Sequence, residues 1–464
     1  MSSALWPLMV AVVILGTVYV VVAVRNLAAG IVLFTVLIFF ALIPSIASSG
    51  ITFAKLGGVI LAVAWLLRLL NRNRPAMLFR DHPVVAFIVV LVAAWAFASS
   101  LWAPNPAVAI SDAFRFAQEM LLVFAVYSAI ESTRHVWWVI WAFIGGAVVS
   151  ALIGLAGATP RDQYSPLGQS RLGGGIGDPN ELAAFLVPAI VFAMFALAVV
   201  RTALARWLLV SSVVVCALAL FRTESRGGIV ASGVVLIVAL LLSGPVRLRA
   251  LVGISATAAF GLLYFTVLAP PQAFARITGF RGDQGSGRID IWNVAVQVFR
   301  HHPIFGVGAG NFRVVEPLYA ITDINLRATR HVLGAAVVHN TYLSLLAEVG
   351  VIGFLLFAAV VIAALKMAMQ AVREFAAAGN SEMEVLSRGL IIGTVGMLAA
   401  FFFLSAQHEK QLPLLLGLLM ALLSVARASA ITVGPRRDGD SPQALLPGPL
   451  ARGRRAAPGT SGVQ

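Results

Sequence analysis

Apolar residues run along this chain in stretches long enough to cross a bilayer as a helix, about 20 positions each, and short polar segments separate them. Taken in order, the stretches predict spans at roughly 6–23, 27–46, 51–70, 84–101, 114–130, 136–158, 181–200, 207–221, 228–243, 250–269, 342–366, 389–405 and 411–428. The expected fold is an all-α polytopic membrane protein with about 12 transmembrane helices. Three apolar runs precede the first basic connection. If the N-terminus lies inside, residues 6–46 hold a broken or half-crossing pair, so twelve and thirteen spans both fit.

The polar connections alternate in charge. Arg72, Arg74 and Arg80, then Arg134, Arg201 and Arg206, Arg247 and Arg249, Arg373 and Arg388, and the tail beyond Arg427 form one set. Basic loops mark the cytoplasmic side, so 102–113, 159–180, 222–227, 270–341 and 406–410 are expected to face outward. The segment 270–341 is the one sizeable insertion, and Ile289, Ile291, Trp292, Val296 and Phe299 recur in it near helical spacing. That pattern predicts a short amphipathic helix lying on the membrane. The predicted organisation is a membrane unit over 1–428 carrying the 270–341 loop, followed by a basic tail over 429–464. The tail is rich in Pro, Gly, Ala and Arg and is expected to be disordered in the cytoplasm.

Composition agrees with this class: 60% of residues are hydrophobic and 11% charged, and mean hydropathy is +0.94. The net charge of +14 then reads as basic loops facing anionic lipid and does not call for nucleic acid. The single cysteine, Cys216, sits in an apolar run and reads as a core residue. The first run lacks a basic leader and a small-residue cleavage site, so it reads as a span and not as a removed signal.

Candidate chemistry collects on the outward loops. The insertion carries Arg288, Arg313, Arg327 and Arg330 among its arginines. Each is either ordinary solvated charge or part of an anion site, since guanidinium binds phosphate bidentately and keeps its charge. Arg226 lies in Thr223-Glu224-Ser225-Arg226-Gly227-Gly228, pressed between two spans. It is either a snorkelling side chain or a functional cation, and the Gly-Gly that follows favours function by admitting close backbone approach at a helix start. Gly285-Ser286-Gly287-Arg288 sets a second cation before a helical pattern. Asp178-Pro179-Asn180 fits a helix cap with Pro at the first position, and fits a substrate contact equally well.

His301-His302-Pro303 through Gly310-Asn311 reads as a Pro/Gly-punctuated turn, and adjacent histidines on a helix point apart, which argues against a metal pair. Nucleotide and metal motifs are missing from the sequence: there is no Walker A and no His-Glu-x-x-His. Within the spans Glu119 and Glu348 are the main acids, which counts against a proton-coupled carrier. His339-Asn340 stands between the long polar insertion and a long apolar run, where a histidine meets the membrane surface.

Several of these segments together resemble the O-antigen ligase and polymerase family. They are Arg288-Ile289-Asp290-Ile291-Trp292, His302-Pro303-Ile304-Phe305-Gly306-Val307-Gly308, Asn311-Phe312, His339-Asn340-Thr341-Tyr342-Leu343 with Glu348 to Gly353, Asp178-Pro179-Asn180, and Ser225-Arg226-Gly227. The resemblance covers roughly 50–428. It implies a glycosyltransferase of the GT-C type in the bacterial inner membrane, with its site on the periplasmic face and no metal or other cofactor. The donor it implies is a glycan on undecaprenyl pyrophosphate, and the acceptor is lipid A-core or another glycan. It also implies a catalytic role for His339 with Arg288 and Arg226. His339 is then the general base of an inverting transfer, with Asn340, Asp178, Asn180, Arg313, Arg327 and Arg330 as substrate-binding candidates. The large insertion before His339 leans towards a ligase. A polymerase with the same chemistry, and a carrier that moves the lipid-linked glycan without making a bond, are the alternatives.

Overall fold

Capping residues in the polar connections decide where the apolar runs begin as helices. We describe a computed structural model over residues 5–40, 53–70, 77–157, 171–269, 273, 288–322 and 337–432. Within these residues the chain is helical, with no strand. The helices are α1 (Leu5–Arg25), α2 (Leu27–Leu37), α3 (Phe53–Leu70), α4 (Leu78–Asp81), α5 (Pro83–Ala98), α6 (Pro106–Ala129), α7 (Thr133–Leu155) and α8 (Pro179–Val199). They continue as α9 (Ala203–Arg222), α10 (Arg226–Leu242), α11 (Arg247–Leu263), α12 (Arg288–His301), α13 (Phe312–Thr322), α14 (Thr341–Ala377), α15 (Ser381–Ala400) and α16 (Gln411–Thr432).

Among the described residues, eight helical segments are long and apolar enough to cross a membrane, which makes this a multi-pass membrane protein. The remaining apolar helices differ from the expected spans for local reasons. Asn105 caps α6 and Pro106 opens it, so this helix starts before residue 114 and takes in Asp112, Arg115 and Glu119. The predicted run 27–46 gives a helix only as far as Leu37, and residues 41–52 lie outside the described set. So do 433–464, which hold most of the expected tail, although α16 itself runs on to Thr432.

Burial separates the centre from the rim. The spans containing α8 and α16 are each 78% buried, whereas the one containing α11 is 17% buried. Apolar side chains gain little from meeting each other in lipid, so close fit carries the packing. On α15, Gly389 and Gly393 lie where a Cβ would strike Phe195 and Phe192 of α8. Cys216 is buried in α9, as a core residue should be.

The insertion supplies a second, smaller core. Ile291, Val294, Ala295 and Val298 of α12 pack with Val307, Phe312 and Val315, and with Val338 and Ala347 on either side of the α14 start. The amphipathic helix is therefore present, with its buried stripe turned slightly from the expected one, since Ile289 is exposed. Residues 303–308 dock into a kink of α14. Gly350 (φ 67°, ψ −173°) breaks the helical ladder there, and the freed carbonyls find other donors. Ala347 O accepts from Val307 N (3.0 Å) and Glu348 O from Gly308 N (2.7 Å), while Val349 O accepts from Trp95 Nε1 (2.9 Å). Val351 N donates to Pro303 O (2.9 Å), so the kink leaves few backbone groups unpaired.

Candidate functional site

The start of α14 is built as a cap with a strained residue in front of it. Asn340 is extended, and its Oδ1 accepts from Tyr342 N (3.0 Å) and Leu343 N (3.1 Å). Its Nδ2 is buried and has no hydrogen-bond partner among the described residues. His339, one residue earlier, has φ 53°. A left-handed backbone costs a residue with a Cβ about 1–2 kcal/mol, so its surroundings must hold it there. They do so from two sides. Its N–H donates to Ser405 Oγ at 2.8 Å, and the carbonyl of Val338 accepts from Trp292 Nε1 of α12 at 3.0 Å. Thr341 completes the clamp, donating its hydroxyl to Leu404 O (2.6 Å) and accepting from Ala406 N (2.9 Å).

Burial pushes the His339 imidazole below its ordinary value, and the guanidinium groups of Arg288 and Arg313 push the same way against the opposing carboxylate of Asp178. Three other sequence candidates thus lie close enough to act on this histidine electrostatically. Near pH 7 the ring is neutral and has a lone pair to offer.

A second group lies at the starts of α8 and α10. Asp178 caps α8, its Oδ1 accepting from Asn180 N (2.7 Å) and Glu181 N (3.0 Å), with Pro179 as first helical residue. Asn180 Oδ1 accepts from Arg171 Nη2 (3.0 Å) and from Ser225 Oγ (3.1 Å). Ser225 is the cap of α10, and Arg226 is that helix's first residue. Gly227 and Gly228 allow the approach the sequence suggested: a Cβ on Gly227 would lie 2.9 Å from Phe403 Cβ, and one on Gly228 2.9 Å from Ala183 Cβ. Glu224, two residues before Arg226, has φ 50° and shares positive φ only with His339 among the described non-glycine residues.

Aromatic contacts join the two groups. Trp292 meets Phe402 at 5.5 Å and Phe403 at 6.5 Å between ring centroids, and Tyr342 meets Phe402 at 6.5 Å. The starts of α10 and α14 thereby pack around one aromatic turn, and the start of α8 is tied to that of α10 through Asn180 and Ser225. Helix N-termini present unpaired N–H groups and a partial positive charge, so the arrangement favours an anion. Arg288 is the first residue of α12 and is half-buried, and Arg313, in the first turn of α13, is exposed. Arg327 and Arg330 lie outside the described residues. The two ring nitrogens of the adjacent histidines go separate ways: His301 Nδ1 faces Gln297 O (2.8 Å) and His302 Nε2 faces Tyr319 Oη (3.3 Å).

Sequence reading missed one buried group. His408 sits between two carboxylates of α6, with Nε2 3.0 Å from Asp112 Oδ2 and Nδ1 2.9 Å from Glu119 Oε1. Burial pulls its imidazole down, but the two acids more than offset this and raise it to about 10. Neighbouring Glu409 is pushed up, chiefly by burial. Glu348 lies close enough to feel the charges of Asp112 and His408, and its Oε2 accepts from Gly310 N at 3.1 Å. The signal was present, since Asp112 and Glu119 are two turns apart on one face of an otherwise apolar helix.

Residues 211–358 match the O-antigen ligase family model, a stretch that runs from α9 through Arg226, Arg288 and His339 to the kink in α14. This part of the chain is thus similar to the O-antigen ligase family, in agreement with the series of motifs. No curated protein matches the chain.

Proposed function

We propose that this protein is a ligase that transfers a glycan from undecaprenyl pyrophosphate to a hydroxyl of a lipid A-core acceptor, at the periplasmic face of the bacterial inner membrane. The observation that carries the reading is His339. It is neutral, half-buried, strained in its backbone and within the fields of Arg288 and Arg313. In the proposed reaction the acceptor hydroxyl loses its proton to the His339 imidazole while its oxygen bonds to the anomeric carbon. The bond from that carbon to the pyrophosphate oxygen breaks, and the configuration inverts.

The leaving pyrophosphate gathers negative charge as it departs. Arg226 and Arg288 are assigned to receive it, and pre-placed donors of this kind are typically worth about 3–4 kcal/mol each. A pyrophosphate is already an activated leaving group, so the step draws on no nucleotide. Asn340, through its unpaired Nδ2, and Asp178, Asn180 and Arg313 are assigned to orient donor and acceptor, with Arg327 and Arg330 as further candidates. We assign twelve or thirteen membrane crossings in all, with 270–341 outward. The size of that insertion before His339 is the reason for preferring a ligase.

The test is transfer by purified protein in detergent with EDTA present, wild type against His339→Ala. An undecaprenyl-pyrophosphate glycan is supplied with lipid A-core or alone. Product on lipid A-core that vanishes in the variant supports the reading. Longer lipid-linked chains made without lipid A-core identify a polymerase, and undiminished transfer by the variant rejects His339 as the base.

A further inference from the structure

The proposed chemistry makes no use of His408, although both of its ring nitrogens are engaged by side chains of α6. Both face carboxylates at hydrogen-bond distance, Asp112 on one side and Glu119 on the other. An imidazole can donate from both nitrogens only as the cation, the form that two facing carboxylates favour. The ring of Phe116, between the two acids on α6, meets the imidazole edge-on with centroids 4.8 Å apart. Ionisable neighbours close the surroundings: Arg115 of α6, 3.6 Å from Asp112 Oδ1, Glu348 of α14, which feels the charge of His408, and Glu409 and Lys410 in the same turn.

The other end of this turn grips the candidate base. Each of four consecutive residues is tied to the start of α14: Leu404 O and Ala406 N to Thr341 Oγ1, Ser405 Oγ to His339 N, and Gln407 Nε2 to Ser344 Oγ at 3.3 Å. The turn therefore has two anchored ends. His408 fixes it to α6, and Ser405 uses that fixed position to hold a backbone that would otherwise relax to negative φ.

We propose that His408 is a positioning residue for this site. Gripped by Asp112 and Glu119, it locks the Leu404–Lys410 turn so that the Ser405 hydroxyl keeps His339 in its left-handed conformation and its imidazole aimed at the acceptor. The inference rests on the reading of His339 as general base. It has a specific consequence. Arg226 and Arg288 are carried on α10 and α12, outside the turn, so loosening the turn disturbs proton transfer and leaves pyrophosphate binding in place.

The experiment compares Ser405→Ala, Ser405→Thr, His408→Gln and the double variant Ser405→Ala/His408→Gln in the detergent transfer assay, with His339→Ala alongside. Ser405→Ala and His408→Gln are each expected to lower kcat about tenfold or more with KM for the lipid donor within about twofold, since small misplacements of a reacting group cost rate before binding. Ser405→Thr, which keeps the hydroxyl, restores most of the rate. The double variant loses little more than the worse single one, because both substitutions break the same link. The acid limb of the pH–rate profile persists in His408→Gln, because His339 sets it.

Unchanged kcat in folded Ser405→Ala overturns the proposal, and so does a double variant whose losses multiply. Disappearance of the acid limb in His408→Gln overturns it as well, by making His408 the titrating group. Should His408→Gln fail to fold, Ser405→Ala decides alone, since it removes one hydroxyl and leaves both carboxylate contacts. Full activity of His339→Ala is a different result: it rejects the base assignment on which the inference rests.

Discussion

The backbone N–H of His339 donates to the hydroxyl of Ser405 at 2.8 Å across 66 residues of sequence. The bond ties the last residues before α14 to the turn between α15 and α16, and it is one reason a histidine can hold φ 53° here. A left-handed histidine directs its side chain differently from a helical or extended one, so this bond helps to set where the imidazole points.

The pH dependence of transfer follows from the charges around that ring. Burial and the guanidinium groups of Arg288 and Arg313 hold it below 6.5, so it stays neutral to lower pH than a free imidazole. Activity is expected to rise with pH through a limb below 6.5 and to be level at 7. Arg313→Gln removes a cation and moves the limb to higher pH. Asp178→Asn removes the opposing carboxylate and moves it lower. Profiles of kcat/KM for the three proteins check this, and shifts in the same direction would reject it. Loss of the ring in His339→Ala is expected to lower kcat about 10²–10⁴-fold, the usual range for a general base.

Asn340 has two separable jobs. Its Oδ1 caps α14, and its Nδ2 is buried with no hydrogen-bond partner among the described residues. Asn340→Ala loses both, costing about 1 kcal/mol of stability for the cap as well as activity. Asn340→Ser keeps a capping oxygen and so is expected to keep the melting temperature of wild type while losing rate. Thermal unfolding and transfer measured on both variants tell the jobs apart. A serine variant with full activity would leave Asn340 as a cap only.

The kink of α14 is exacting. Gly350 and Gly306 both have positive φ, and a Cβ on either would strike the backbone of the other's segment, at Ile304 and Gly306 for Gly350 and at Glu348 and Gly350 for Gly306. Neither neighbour can move as a side-chain tip would. Ala at either position is expected to cost more than about 3 kcal/mol, from the left-handed conformation together with the backbone clash. Loss of the folded fraction in fluorescence-detected size exclusion checks it, with Gly379→Ala as control. Gly379 also has positive φ but nothing within 4 Å.

Much of this was readable in the sequence, because local chemistry fixed it. Asp178-Pro179 is a cap followed by a preferred first residue wherever it occurs, and the stripe through Ile291 and Val298 needs only a period of 3.6. The glycines after Arg226 signal close approach without saying to what. The chain could not reveal that Gly227 meets Phe403, or that α14 runs through a kink because residues 303–308 fill it. His408 was the largest omission. A histidine in a short polar connection looks solvated, and only the packing of α16 against α6 brings it between Asp112 and Glu119. Beyond the spacing of Asp112 and Glu119 on one face of α6, this long-range pairing leaves no periodic trace.

That buried pairing has a thermodynamic consequence of its own. The His408 imidazole is raised to about 10 by Glu119 and Asp112 despite burial, whereas in the unfolded chain it titrates near 6.5. The folded state therefore binds its proton more tightly, and the stability this contributes is whole below about 6.5, declines above it and is gone once the pH passes about 10. His408→Gln lacks the linkage. Wild type is expected to melt well above the variant at pH 6, with the gap narrowing steadily towards pH 10, where the imidazolium loses one of its two N–H protons and with it one of the two carboxylate contacts. Melting temperatures of both proteins in one detergent across that range measure it. A gap that stays constant would mean that His408 is already neutral in the folded protein and that the Asp112 and Glu119 contacts are not those of a cation.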